Sequence, residues 1–199
     1  MPSDRPDLIA LLGSRICHDL ISPLSAIGNG VELLMMSGAV PGPEIALISE
    51  SVSNANARIR FFRVAYGAAS PGQSVARSEI RSILDDMTRG GRLAIDWQVP
   101  GDVARIEARL AFLALQCLET ALPYGGRVTI AADGGTWQVG AEAAKMKVDA
   151  DLWSRLTDPE SGTEIAAAHV QFLLFPAELQ RQGRTLSLQM SDTRIGLRY

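Results

Sequence analysis

The apolar pattern of residues 45–66 constrains the fold more than any other feature of this 199-residue chain. Apolar side chains there recur at alternating steps of three and four residues: Ile45, Ile48, Val52, Ala55, Ile59, Phe62 and Tyr66. Such a heptad pattern is typical of a helix that packs along its length against other helices. The sequence therefore predicts a long helix that needs helical neighbours.

A second apolar stripe precedes this one. It consists of Ile16, Leu20, Leu24, Ile27, Val31 and Leu34, which fall on one narrow face of a helix. Residues 37–43, SGAVPGP, interrupt the pattern, so the two helices form an antiparallel hairpin. One hairpin cannot bury both stripes well by itself. We therefore predict that two copies pair into a four-helix bundle, which makes the protein a homodimer.

The small residues of 67–74, GAASPGQS, indicate a linker, and the pattern changes after it. Helices are predicted near 77–89, 103–122, 150–156 and 163–182, and strands near 93–99, 127–132, 136–139, 185–190 and 194–198. Mixed elements of this kind suggest an α/β sandwich, with helices over one face of a single sheet. The predicted fold class is α+β, with a helical-hairpin domain at 1–70 and a sandwich domain at 75–199.

Composition removes several classes of function. A net charge of −3 gives no support to a nucleic-acid binder. No run of 18 apolar residues is present, so no membrane span is expected, and the N-terminus does not resemble a secretory signal. Two distant cysteines, Cys17 and Cys117, indicate neither a disulfide framework nor a zinc site. We expect a cytoplasmic protein with free thiols.

Inside the first predicted helix lies the motif His18-Asp19-Leu20-Ile21-Ser22-Pro23. At about 100° per residue, His18 shares a face with Ser22, Ser25, Asn29 and Glu32, opposite the apolar stripe. The small polar neighbours would let a partner approach the imidazole closely.

A proline costs about 3 kcal/mol in a helix interior, so Pro23 predicts a bend just below His18. Such a costly feature beside an exposed histidine favours a function. A surface histidine without function is the alternative.

This motif resembles the phosphoacceptor box of histidine kinases, and the stretch 14–34, SRICHDLISPLSAIGNGVELL, resembles the ChpT-type histidine phosphotransferases of alphaproteobacteria. The resemblance implies that His18 accepts a phosphoryl group on its distal ring nitrogen. Asp19 would hold the other nitrogen and fix the tautomer. Ser22 stands where kinases often carry a Thr or Asn that assists dephosphorylation, and its shorter side chain argues against a strong phosphatase role.

The resemblance also implies the partners. A receiver domain of a hybrid histidine kinase would donate the phosphoryl group, and response regulators would accept it. Receivers would dock near Ile21, Ser25 and Asn29, and they would bring the Mg²⁺ that the transfer needs. No nucleic acid or membrane is expected among the partners.

The second domain matches the kinase ATP-binding domain in layout but lacks its ligand motifs. Thr120-Ala121 replaces an Asn-Ala pair that holds Mg²⁺ in kinases, and residues 138–144, QVGAEAA, contain no Asp-x-Gly-x-Gly box. Asp133-Gly134-Gly135 fits a hairpin turn better, and residues 158–168 contain no Gly-rich phosphate lid. We expect a kinase-like fold without nucleotide or bound cofactor. The alternatives are a non-catalytic dimeric scaffold and, less favoured, an ATP-dependent histidine kinase.

Other chemistry-bearing residues receive structural interpretations. Cys17 borders the apolar side of its helix and is expected to pack there. His169 has no second ligand or nucleophile near it in sequence. Seven arginines against three acids lie between residues 51 and 92, including three on the second helix: Arg58, Arg60 and Arg63. They form either a solvated face or an electrostatic guide for an acidic partner.

Overall fold

The computed structural model describes residues 8–36, 42–158 and 165–199. Its first two elements are the helices α1 (Leu8–Met36) and α2 (Pro43–Ala65). They pack antiparallel: a Cβ placed on Gly13 would lie 3.2 Å from the Tyr66 carbonyl oxygen, and one on Gly28 would lie 3.4 Å from Val52. Glycines at these positions let the two helices approach closely. The predicted helical hairpin is therefore confirmed.

Helix α2 has two buried faces, of which the heptad pattern showed only one. Val52 and Ile59 belong to the predicted seam and are buried. Phe61, Val64 and Ala65 lie outside that seam, yet all three are fully buried in the core of the region that follows. They recur three or four residues apart with Ala57, which is also buried. The second face is therefore a helical stripe of its own.

The remaining elements form the predicted mixed domain. In chain order they are β1 (Ser74–Val75), α3 (Arg77–Thr88), β2 (Leu93–Trp97), β3 (Val103–Ala104), α4 (Arg105–Ala121), β4 (Gly126–Asp133), β5 (Thr136–Glu142), α5 (Ala150–Ser154), a 3₁₀ turn (Ala167–His169), α6 (Gln171–Arg181), β6 (Ser187–Met190) and β7 (Arg194–Arg198). Five strands make one sheet in the order β2-β4-β5-β7-β6. Strand β2 runs parallel to β4, and the other pairs are antiparallel.

Three details differ from the predictions. The short strands β1 and β3 pair with each other and were not expected, because a strand of two residues carries no periodic signal. Strand β3 also moves the start of the following helix from 103 to Arg105. The predicted helix at 163–182 is a 3₁₀ turn followed by α6, and residues 159–164 lie outside the described part.

The core lies between the sheet and helices α3, α4 and α6. Along β4, Val128 and Ile130 are fully buried while Thr129 between them is only half-buried, so one face of the sheet is covered and the other is open. Helix α4 is the central element, since eleven of its residues are buried. The predicted α+β class and one-sided sandwich are confirmed. No helix in the described ranges is both long and apolar enough to cross a membrane.

Candidate functional site

Helix α1 contains the whole histidine motif, because it runs without interruption from Leu8 to Met36. Helical geometry places positions 18, 22, 25 and 29 along one face. Ser25 and Asn29 are exposed on that face, and Ile21 beside it is half-buried. A partner can therefore reach this part of the helix.

Four residues of the motif lie in α1 with side chains outside the described part of the structure: His18, Asp19, Ser22 and Pro23. Their predicted roles, and the bend predicted at Pro23, therefore stay predictions. What the structure supplies is the backbone that carries them, a continuous helix.

The opposite side of α1 is apolar and only partly covered. Leu20, Ile27 and Leu34 follow one another at seven-residue steps and are 46%, 50% and 54% exposed. Ile48 of α2 is 47% exposed, whereas Val31, which also belongs to the α1 stripe, is buried. One hairpin thus buries part of the predicted stripe and leaves a heptad-spaced row open, and such rows commonly mark protein interaction sites.

Polar contacts fasten α2 to the sandwich domain beside the buried Phe61 face. Arg60 pairs with Asp86 at 3.0 Å, and Arg63 pairs with Glu79 at 2.9 Å. Two of the three arginines considered as a guide for an acidic partner therefore join α2 to α3, while Arg58 is exposed. Partly exposed ion pairs of this kind contribute about 0–1 kcal/mol each, so they set geometry more than stability.

Two further contacts bridge α2 and α4. The Tyr66 hydroxyl donates a hydrogen bond to Oε1 of Gln116, and the Arg105 guanidinium donates one to the backbone carbonyl of Arg63. Burial raises the pKa of Tyr66 to about 12, although the Gln116 hydrogen bond opposes this shift. Burial also lowers the pKa of Arg105, with a smaller contribution from nearby Arg63. The hairpin and the sandwich therefore share a partly dehydrated polar interface.

Two segments that the sequence analysis compared with kinase nucleotide motifs make local contacts in this structure. The Thr120 hydroxyl donates to the backbone carbonyl of Cys117 at 2.7 Å, within its own helix. Asp133 ends β4, and Gly134 and Gly135 form the predicted hairpin turn to β5 with positive φ values of 54° and 82°. Within the described ranges, no three His, Cys, Asp or Glu side chains group as metal ligands would.

Several other residues that could bear chemistry make packing contacts instead. Trp97, Trp137 and Trp153 are buried in the core. The His169 ring packs edge-on against Phe172, with 6.4 Å between ring centroids. Cys117 is fully buried, and burial raises the pKa of its thiol well above the usual value. Cys17 has its side chain outside the described part of the structure.

Sequence reasoning missed one buried charge cluster. Glu178 of α6 is 5% exposed and accepts hydrogen bonds from Arg181 and Gln182. Arg109 of α4 is also buried, and its guanidinium lies 3.9 Å from the Glu178 carboxylate. Because the partners come from two helices, only the i, i+3 and i, i+4 spacing within α6 could have signalled this cluster in advance.

Comparison with known proteins places the chain in a family. A family model described as "Histidine phosphotransferase C-terminal domain" matches residues 77–194. The protein phosphotransferase ChpT of Brucella abortus (strain 2308) is 35% identical over 134 residues, which are 64% of this chain and 62% of that protein. The chain thus aligns with less than two thirds of that relative's length.

A solved structure of a bacterial phosphotransferase matches the whole fold. It covers 100% of this chain and 98% of the other, with a TM-score of 0.68 and 24% sequence identity. This likeness concerns the fold alone, and it extends over both the hairpin and the sandwich. The chain belongs to the histidine phosphotransferase family, as the family match over more than half of its length shows. The resemblance to the ChpT type is confirmed.

Proposed function

We propose that this protein is a phosphohistidine relay that carries a phosphoryl group between receiver domains, with His18 as the carrier. The observation that carries the proposal is the continuous helix α1, which presents the histidine motif together with the exposed Ser25 and Asn29. Family membership and the likeness to ChpT support the reaction class.

The chemistry follows from the properties of imidazole. A neutral histidine has an ordinary pKa near 6.5, so its unprotonated nitrogen is a nucleophile at physiological pH. The distal nitrogen of His18 attacks phosphorus in an aspartyl phosphate; a P–N bond forms while the P–O bond to the aspartate breaks and the carboxylate leaves. Asp19 accepts a hydrogen bond from the other ring nitrogen and steadies the cation that forms. The reverse step passes the group to the next aspartate.

The partners follow from the same reaction. The donor is the receiver domain of a hybrid histidine kinase, and the acceptors are response regulators. They dock over Ile21, Ser25 and Asn29, where the small polar side chains permit close approach. Each receiver brings its own Mg²⁺, so this chain needs no bound cofactor. We place the relay in the cytoplasm.

The second domain acts in this proposal as a brace that binds no ATP. A nucleotide held there would have to reach His18, which requires movement between the domain and the hairpin. The stacked rings of Phe61 and Phe112, 4.7 Å apart between centroids, and the Tyr66–Gln116 hydrogen bond oppose such movement. The predicted boundary between the domains, at residues 70–75, stays a prediction. The buried face of α2 from Phe61 to Ala65 packs into the core of the sandwich domain, which supports a fixed junction between the hairpin and that domain.

The working unit is a homodimer in which two hairpins form a four-helix bundle. The open row of Leu20, Ile27 and Leu34 supports this arrangement, because its seven-residue spacing is what a left-handed helical bundle buries. Each copy would present one His18 face outward, away from the shared seam.

The test is a transfer assay that compares variants of the two histidines of the chain, His18 and His169. A radiolabelled, phosphorylated receiver is mixed, without ATP, with the wild type, with His18→Gln and with the matched control His169→Gln. We expect label on the wild type and on His169→Gln, and none on His18→Gln.

Other results would favour the alternatives. Absence of label on all three proteins across a panel of receivers would favour the dimeric scaffold. Labelling by free [γ-³²P]ATP alone would favour the ATP-dependent kinase.

A further inference from the structure

A cavity of about 680 Å³ lies where the hairpin meets the sandwich domain. Its walls come from α1, α2, α3, α4 and the start of α6, and most of its lining is apolar. Phe62 and Tyr66 supply two aromatic rings, and Met87, Val170 and Leu174 complete the apolar part. The volume is within the range of small-molecule sites, about 300–1,000 Å³. The relay reaction uses none of these residues.

Two amide side chains line the same cavity with hydrogen-bonding capacity left over. Gln171 is 4% exposed, and its side chain makes no hydrogen bond to any residue that the structure describes. Gln116 accepts a hydrogen bond from Tyr66 at Oε1, and within the same ranges its Nε2 donor has no partner. Both amides therefore open into the cavity with hydrogen-bonding capacity to spare, so a ligand that pairs with them gains those hydrogen bonds.

The charges along the cavity argue against an anionic ligand. Among the described lining residues, Arg58 is the one cation and Glu119 the one acid. Burial raises the pKa of Glu119, and Arg58 opposes that shift. A single arginine facing a carboxyl group does not compensate the charges of a di- or triphosphate, whereas an uncharged ligand meets no such penalty.

We propose that this cavity binds an uncharged, planar, fused-ring heteroaromatic molecule. On one edge the molecule carries a hydrogen-bond donor and a hydrogen-bond acceptor that are attached to the same carbon. A glutamine amide pairs with such an edge through two hydrogen bonds, one given and one received. The rings of Phe62 and Tyr66 pack against each other, 5.6 Å apart between centroids, so together they would contact one flat face of the ligand, as aromatic side chains do with nucleobases. This inference is independent of the relay, because it concerns residues that the transfer does not use.

The test is calorimetric titration of the full chain with quinazolin-4-amine, which has this edge, and with 1-naphthylamine, its carbon isostere. We expect saturable 1:1 binding of quinazolin-4-amine with a Kd of about 1 mM or tighter, as a fragment of this size permits. The carbon isostere should bind at least about tenfold more weakly, because it lacks the acceptor.

Two glutamines of α6 provide matched variants. Gln171→Leu should weaken binding about tenfold or more, whereas Gln180→Leu, at an exposed position on the same helix, should leave it unchanged. Because Gln171→Leu could disturb packing, its thermal unfolding is measured as well, and Gln171→Met provides a second variant of similar volume.

Three results would overturn the proposal. They are no saturable binding below several millimolar, equal affinity of well-folded Gln171→Leu or Gln171→Met, and tighter binding of adenosine monophosphate than of quinazolin-4-amine. None of these results bears on transfer through His18, so the two proposals fail separately.

Discussion

Replacing Ile27 by aspartate tests whether the open row on α1 is the dimer seam. Full burial of a large aliphatic side chain contributes about 1.5–3 kcal/mol. Leu20, Ile27 and Leu34 are about half exposed in one chain, so dimerisation would add about 1 kcal/mol for each of them. In a two-fold symmetric dimer each residue of the row is buried once in each subunit. The row would therefore contribute about 6 kcal/mol to the free energy of association.

Ile27→Asp would remove about 2 kcal/mol of this association free energy and would place one carboxylate from each subunit at the seam. An uncompensated buried polar group adds about 1–3 kcal/mol per copy. The sum is at least about 4 kcal/mol, which corresponds to roughly a thousandfold weaker dimer. The control is Leu173→Asp, which charges an exposed apolar residue of a different helix, α6.

Light scattering coupled to size-exclusion chromatography, at protein concentrations from 1 to 100 µM, distinguishes the two states. We expect dimers for the wild type and Leu173→Asp, and monomers with unchanged helix content for Ile27→Asp. A monomeric wild type, or a variant that stays dimeric throughout, would refute the reasoning from the exposed row.

Three further predictions concern the junction and the core. Phe61→Ala should cost about 3–5 kcal/mol in the free energy of unfolding, measured with urea, because Phe61 is fully buried against Phe112; a loss below 1 kcal/mol would contradict a continuous core. Burial raises the pKa of Glu119 above its usual 4.5, so the folded state binds this proton more tightly. The wild type should therefore lose stability relative to Glu119→Gln as pH rises above 4.5 through the raised pKa, and parallel pH profiles would exclude this effect. In a Cys17→Ser background, Cys117 should react with a thiol reagent only when the protein unfolds, because its thiol is fully buried and its pKa is raised; fast labelling of native protein would be inconsistent with this.

Periodicity predicted the long elements well. The hairpin helices, α3, α4 and the β4–β5 hairpin followed from apolar spacing and from glycines at turns, which are local properties of the chain. The Gly134-Gly135 turn shows why, since two consecutive residues with positive φ leave few alternatives to glycine.

The junction between hairpin and sandwich was not predictable in the same way. The stripe that contains Phe61 and Ala65 is visible in the sequence, but only the tertiary structure shows that Phe61 packs against Phe112 of α4. Likewise, no local sequence pattern predicts that Arg60 and Arg63 form ion pairs with residues of another helix, Asp86 and Glu79. Pairings between distant segments depend on the whole arrangement.

The candidate site followed from sequence more than from structure. The order His18, Asp19, Ser22, Pro23 in an amphipathic stretch indicated the chemistry, and the structure adds a continuous helix with Ser25 and Asn29 exposed. The cavity beside Gln171 had no sequence signal, because its lining comes from five separate helices.

The most direct test of the relay is to locate the phosphoryl group on the protein after transfer from a receiver. Trypsin releases residues 16–58, which contain His18 and no internal Lys or Arg, and residues 156–181, which contain His169. Fragmentation by electron transfer, with samples kept alkaline to preserve the P–N bond, assigns the modified residue. The account predicts one phosphoryl group on His18. Modification of His169, of an acidic residue, or of no residue while the receiver loses its label would contradict it.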